Sequence, residues 1–229
     1  MCGRYTITKP ERLAATFAAD VIKAETGKPR YNVAPMQKAP VVAVVDGRRL
    51  LADIQWGFMP PWASEPSMGK PIINARCETI AVKPAFRESF RTRRCLVPAD
   101  GFYEWQKAGD ERRPFYFRLG DGEPFAFTGL YSIWTGKDKA QLGGLGGELF
   151  SFAIATTQAN EIMSPVHDRM PVILPRQHWD AWLDPENGNV RELNEMLVPF
   201  DGRVMSMRPV SRLVNSPAND TSGCIEPEG

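Results

Sequence analysis

The pattern of apolar and polar positions divides the chain into short strands separated by turn chemistry, with a few short helices. Val41 to Val45 and Leu50 to Gln55 flank Asp46-Gly47, a residue pair suited to a two-residue turn, so this stretch is expected to form a β-hairpin. Gly3 to Thr8, Cys95 to Val97, Phe102 to Gln106, Phe115 to Leu119, Phe125 to Trp134, Phe150 to Thr157, Met170 to Leu174 and Val204 to Met207 read as further strands. Thr8-Lys9-Pro10-Glu11 has the form of a capping box with an early proline, which predicts a helix carrying Leu13, Phe17 and Val21 on one face. Pro84 opens a second helix with Phe86 and Phe90 facing inward, and Arg176 to Leu183 and Val190 to Leu197 read as two more. Trp56 to Pro66 is too rich in Trp, Pro and Gly for a central strand, and Gly136 to Gly147 reads as a flexible surface loop. The expected fold is α+β: a single domain over residues 1–229, with a curved or barrel-like, mostly antiparallel sheet and peripheral helices. Its core should run from residue 2 to about residue 215, and the tail beyond Asn215 is given no role.

Composition narrows the class. The 229 residues are 43% hydrophobic and 24% charged, too apolar for disorder. A chain of this length can bury roughly 70% of its unfolded surface without a disulfide or metal to help. Net charge is +1, from 28 Lys and Arg against 27 Asp and Glu. That balance argues against non-specific coating of nucleic acid but leaves room for a local basic groove. The N-terminus lacks the apolar run of a signal peptide, and the longest apolar run, Ala39 to Val45, is broken by Pro40 and too short to span a bilayer. A cytoplasmic monomer with no membrane partner is expected. Cys2, Cys77, Cys95 and Cys224 have no metal-like spacing, so neither a metal nor a cofactor is expected. Cys77 and Cys95 read as small buried hydrophobes.

Cys2 differs because of its position. Removal of the initiator methionine, common before a small residue, would leave an α-amine and a thiol on adjacent carbons. An α-amine titrates at about 7.7–8.0, so on the order of a tenth is free base at neutral pH. Such an amine can form a Schiff base with an aldehyde, and the thiol can then close a thiazolidine ring; no internal cysteine can do this. Position alone leaves Cys2 open between this role and that of a small residue near a terminus.

Other residues could serve the same chemistry or plain structure. Arg4 is either a cation for the site or a surface charge. His167, in the polar turn Pro165 to Pro171, could move protons near neutral pH or simply cap the turn. His178 reads as structural. Alternation after Gly101 puts Phe102 and Glu104 on one strand face and Tyr103 and Trp105 on the other, so Glu104 is either a proton-transfer carboxylate among aromatics or a rim charge. Asn74 and Arg76 share a face, where an amide could orient a nucleophile and a guanidinium could grip phosphate. Trp62 could stack on a base or on the core. Arg87, Arg91 and Arg94 recur at helical spacing, as phosphate contacts or as a solvated face.

These segments together closely resemble the SRAP family of abasic-site-processing proteins. The resemblance runs in order through Met1-Cys2-Gly3-Arg4, Arg30 to Pro35, Trp56-Gly57 with Trp62, Asn74-Ala75-Arg76 with Glu78-Thr79, Arg94-Cys95 with Ala99 to Trp105, His167 to Pro171, and Pro209-Val210-Ser211. It implies that Cys2, after loss of Met1, crosslinks to the deoxyribose aldehyde of an abasic site in single-stranded DNA, and that Asn74 orients Cys2. It implies that Glu104 and His167 handle protons, His167 also serving crosslink reversal. Arg4, Arg76 and Arg169 resemble phosphate contacts, and Trp62 and Trp105 resemble residues lining the DNA path. Bacterial members are associated with the SOS response, which implies a protein associated with the nucleoid when it acts on DNA. Lyase and autopeptidase activities are also allowed by the resemblance. Two rival functions use the same residues: an N-terminal-nucleophile cysteine peptidase or amidohydrolase, and a non-covalent single-stranded DNA binder.

Overall fold

Asp46 and Gly47 both take left-handed backbone, with φ of 50° and 74°. That twist matches the strands of a two-residue hairpin, and the expected hairpin forms around it. The structure, a computed structural model, describes residues 2–25, 27–63, 71–109, 111–120, 122–135 and 148–228. In chain order the elements are β1 (Arg4–Ile7), α1 (Leu13–Phe17), β2 (Asp20–Lys23), β3 (Arg30–Val33), β4 (Lys38–Val45), β5 (Arg48–Trp56), β6 (Asn74–Arg76), α2 (Arg87–Thr92), β7 (Arg94–Ala99), β8 (Gly101–Ala108), β9 (Glu111–Leu119), β10 (Phe125–Thr135), β11 (Glu148–Gln158), β12 (Arg169–Pro171), α3 (Trp179–Leu183), α4 (Val190–Glu195) and β13 (Met205–Pro209).

Five strands close on themselves. β4 pairs antiparallel with β5 and with β7, and β10 pairs antiparallel with β7 and β11. β11 then returns to β5 by a parallel pairing of Ser151 with Gln55 and Phe152 with Trp56. A second, five-stranded sheet runs in the order β13-β9-β8-β1-β3. Aromatic edges join the two: Tyr5 on β1 meets Trp56 at 5.2 Å and Phe127 at 5.9 Å between ring centroids. Phe102 on β8 stacks on Phe117 at 5.1 Å and meets Phe127 at 5.8 Å. The fold is α+β, mostly antiparallel and barrel-like, with short helices outside.

One expected helix is shorter than its sequence suggests. The Thr8 hydroxyl donates to Asp100 Oδ2 at 2.8 Å instead of capping a helix, and the Thr8 and Lys9 N–H groups donate to the same oxygen. A single 3-10 turn at Pro10–Arg12 leads into α1, which stops at Ala18 in left-handed conformation. Val21 lies not on its apolar face but in β2, exposed and paired with Leu51. Of the expected strand Met170 to Leu174, only the beginning joins the ladder, as β12; Ile173 makes an isolated bridge to Phe127. The Gly136 to Gly147 segment lies outside the described residues.

The segment after Asn215 is fastened to β3. Asp220 accepts from the Tyr31 N–H at 2.5 Å, the Asn32 N–H at 2.8 Å and Arg30 Nε at 2.5 Å. Val214 and Cys224 join Tyr103, Tyr116 and Val210 in a small second core on the outer face of β8.

Candidate functional site

β1 is an inner strand of its sheet, with Arg4 opposite Tyr103 of β8 and Tyr5 opposite Val33 of β3. Cys2 sits just before it, fully buried in the chain that carries Met1. β6 reaches the same place by parallel pairing with β11, Asn74 opposite Ile154. From there the Asn74 side-chain nitrogen donates to the Cys2 carbonyl at 3.0 Å. The Asn74 Oδ1 atom is buried with no hydrogen-bond partner among the described residues. The Cys2 thiol makes a long contact to the Arg4 carbonyl, 3.9 Å. Burial, and then the nearby Glu104 carboxylate, push the thiol pKa well above its ordinary value, so the sulfur is held protonated.

Glu104 is 3% exposed, on the inner face of β8, whereas Tyr103 and Trp105 pack into the outer cluster. The expected alternation is therefore present, and Glu104 is a buried carboxylate and not a rim charge. The Arg4 guanidinium lies 5.8 Å from the Trp105 ring centre, and the Trp105 indole N–H donates to Asn215 Oδ1 at 2.7 Å. Arg4 Nε is buried with no hydrogen-bond partner among the described residues.

The turn bearing His167 is tied to β8 by the Gln106 side-chain N–H, which donates to the Pro165 carbonyl at 3.0 Å. The His167 Nδ1 atom accepts the Arg169 backbone N–H at 2.9 Å, which puts the proton of the neutral ring on Nε2. The Asp168 carboxylate lies 2.8 Å from the same Nδ1, but it is largely in water and that nitrogen already accepts the Arg169 N–H. Arg169 is engaged elsewhere too. Both terminal nitrogens of its guanidinium grip the Glu78 carboxylate, and Nη2 also donates to the Thr156 carbonyl at 2.6 Å. This side-chain bonding lowers the Glu78 pKa to about 2.

Cys2, Arg4, Asn74, Glu104 and Trp105 are thus gathered at the joint of β1, β6 and β8. Arg76 is exposed and makes no ion pair among the described residues, and Trp62 is 68% exposed in the loop after Phe58. No hydrogen bond or ring contact among the described residues joins either to Cys2. The partners Asn215 and Gln106 were not foreseen, and no local pattern could have revealed them, because Asn215 meets Trp105 across 110 positions. Among the described residues no group of three or more His, Cys, Asp or Glu side chains could hold a metal ion, and no helix is long and apolar enough to cross a membrane.

Residues 1–217 match the family model described as SOS response associated peptidase (SRAP). Abasic site processing protein YoaM of Bacillus subtilis is 38% identical over 232 residues, covering 100% of this chain and 99% of that protein. Abasic site processing protein YedK of Escherichia coli is 31% identical over 234 residues, covering 99% and 100%. A crystal structure of a protein from Bacteroides thetaiotaomicron superposes with a TM-score of 0.86 at 26% identity, covering 99% of this chain and 100% of the other. The match to the family model over residues 1–217 and to relatives over nearly their whole length has one meaning: the chain belongs to the SOS response associated peptidase family.

Proposed function

We propose that this protein captures abasic sites in single-stranded DNA covalently, through Cys2 once Met1 has been removed. The observation that carries the reading is the 3.0 Å bond from Asn74 to the Cys2 carbonyl, beside the buried Glu104. The names of the relatives as abasic site processing proteins agree with it.

While Met1 is attached, the Cys2 nitrogen is an amide and is not a nucleophile. Freed, it is an amine on the carbon next to the one that carries the thiol. In this reading the amine attacks first, at the C1′ aldehyde of the ring-opened deoxyribose. The carbinolamine loses water to give a Schiff base. The thiol sulfur then adds to the imine carbon, its proton passes to nitrogen, and a thiazolidine closes; one water is lost overall. Glu104 is suited to take the proton released by the attacking amine. His167, with Nδ1 taken by the Arg169 N–H, is suited to donate a hydrogen bond from Nε2 to a departing oxygen. Arg4, Arg76 and Arg169 would hold phosphates, Arg169 by sharing or leaving Glu78, while Trp62 and Trp105 would line the strand's path.

Intact mass spectrometry with an abasic oligonucleotide tests this. The expected product is des-Met1 protein plus the oligonucleotide, less one water, and Cys2→Ala should yield none. A Cys2→Ser variant can form the Schiff base but cannot close a thiazolidine, so its product should trap with borohydride and fall apart on heating without it. Full adduct formation by protein that retains Met1 would overturn the reading. Turnover of a peptide, lost in Cys2→Ala, would favour the hydrolase alternative.

A further inference from the structure

An indole on the partly exposed face of a strand has several orientations open to it, and in most of them water can take its N–H. Trp105 on β8 is held in one. Its N–H donates to Asn215 Oδ1 at 2.7 Å, and its ring leans on Tyr103 with centroids 6.5 Å apart. Asn215 is exposed, yet the backbone around it is fixed from the interior by Asn32 of β3, which is fully buried. The Asn32 side-chain nitrogen donates to the carbonyls on either side of Asn215, Val214 at 3.2 Å and Ser216 at 3.0 Å, and to the Asn219 carbonyl at 2.8 Å. The Asn219 side chain closes the turn by donating to the Leu213 carbonyl at 2.8 Å. Arg4 lies at the far end of these contacts. Its guanidinium rests against the Trp105 ring, 5.8 Å from the centre, while its Nε is buried and unbonded among the described residues.

We propose that Asn215 is a positioning residue of the DNA site: by holding the Trp105 indole it aims the Arg4 guanidinium at a phosphate of the bound strand. This rests on the reading of Arg4 and Trp105 as DNA contacts, and it makes the segment beyond β13 part of the site. A cation over a ring is fixed in direction only as well as the ring itself is fixed. Arginine grips phosphate with two N–H groups at once, so aligning its plane before the strand arrives saves the ordering that binding would otherwise require. Without Asn215 the indole can turn toward water, and Arg4 loses the surface that aims it. No hydrogen bond among the described residues joins Asn215 to Cys2 or to Asn74, so the bond that orients the cysteine is left alone.

The test is a double-mutant cycle on binding of a single-stranded oligonucleotide that carries one tetrahydrofuran abasic analogue, followed by fluorescence anisotropy. The analogue has no aldehyde, so nothing covalent intervenes. Asn215→Ala should weaken binding about two- to tenfold, the range that one hydrogen bond supplies. Its slope of log K against log salt should fall toward that of Arg4→Ala. Trp105→Phe keeps a ring but has no N–H, so it breaks the same bond from the other end. The double variant should therefore bind no worse than Trp105→Phe alone. In single-turnover capture of a true abasic aldehyde, Asn215→Ala should need more DNA for half its maximal rate, by the same factor, with the maximal rate unchanged. Losses that add in the double variant, unchanged binding by Asn215→Ala, or a slope left at the wild-type value would each overturn the assignment. Should Asn215→Ala fail to fold, Trp105→Phe decides alone, and wild-type affinity and slope in it overturn the assignment. Wild type that binds the strand but captures no aldehyde sinks the reading of Cys2 and leaves Asn215 in place. Wild type that binds no strand sinks both.

Discussion

Asn74 donates from its side chain to the Cys2 carbonyl at 3.0 Å, joining residues 72 positions apart. The bond holds the peptide carbonyl and not the thiol, so it fixes the direction in which the nitrogen and Cβ of Cys2 point. Misplacing a nucleophile by about 1 Å can cost roughly a hundredfold in rate. Asn74→Ala is therefore expected to slow adduct formation by about ten- to a hundredfold while leaving affinity for a tetrahydrofuran strand nearly unchanged. A denaturing-gel time course paired with anisotropy checks both. Equal losses in rate and affinity would mean that Asn74 holds the DNA and not the cysteine.

Arg76 is exposed and makes no ion pair among the described residues, so it can meet a phosphate without breaking one. Arg76→Ala should weaken single-strand binding and reduce the slope of log K against log salt by about 0.7, the share of one phosphate on a single strand. Titrations at several salt concentrations measure the slope, and an unchanged value would remove Arg76 from the contact surface.

The Arg169 guanidinium beside Glu78 holds that carboxyl at about 2, below the ordinary value near 4.3 that it regains on unfolding. Because the folded value is the lower one, the pair stabilises the fold fully above about pH 5, and the gain is lost as pH falls toward 2. Glu78 is 46% exposed, so screening by water limits the pair to about 1 kcal/mol or less. Glu78→Gln should be less stable than wild type by that amount at pH 7, and the gap should narrow through pH 4 and pH 3. Urea midpoints at the three pH values check it; a constant gap would mean that the glutamate acts through packing instead of charge.

A Cβ on Gly101 would stand 2.1 Å from the Tyr116 hydroxyl oxygen and 2.2 Å from a ring carbon. Tyr116 cannot simply move, since its hydroxyl bonds Thr6 Oγ1 at 2.9 Å, which in turn donates to Asp100 Oδ1 at 2.6 Å. Gly101→Ala should destabilise the protein by about 1–3 kcal/mol. Urea denaturation measures this, and wild-type stability in the variant would show that the ring has another resting place.

Much of the fold was legible where the signals are local. The Asp46-Gly47 turn set its hairpin, and alternation along β8 sorted Glu104 from Trp105 before any strand was paired. The reading failed where a distant residue took a group that local chemistry seemed to claim. Thr8 looked like a helix cap, but Asp100 holds it, 92 positions away. β2, β3 and β6 are three or four residues long, too short to carry a period, and exist because longer strands give them an edge. At the site, the residue types were legible from the ordered motifs around Cys2. Which atoms they touch was not: the carbonyl bond from Asn74, the grip of Arg169 on Glu78 and the support of Trp105 by Asn215 all depend on the closed barrel and on the tail.

That tail gives folding a schedule. Tyr31 waits for Asp220 across 189 positions. A ribosome adding roughly 5–20 residues per second separates the two by about ten to forty seconds. Throughout that interval β3 exists without the carboxylate that holds its backbone. The clasp between the two ends of the chain is thus among the last contacts a newly made molecule can form.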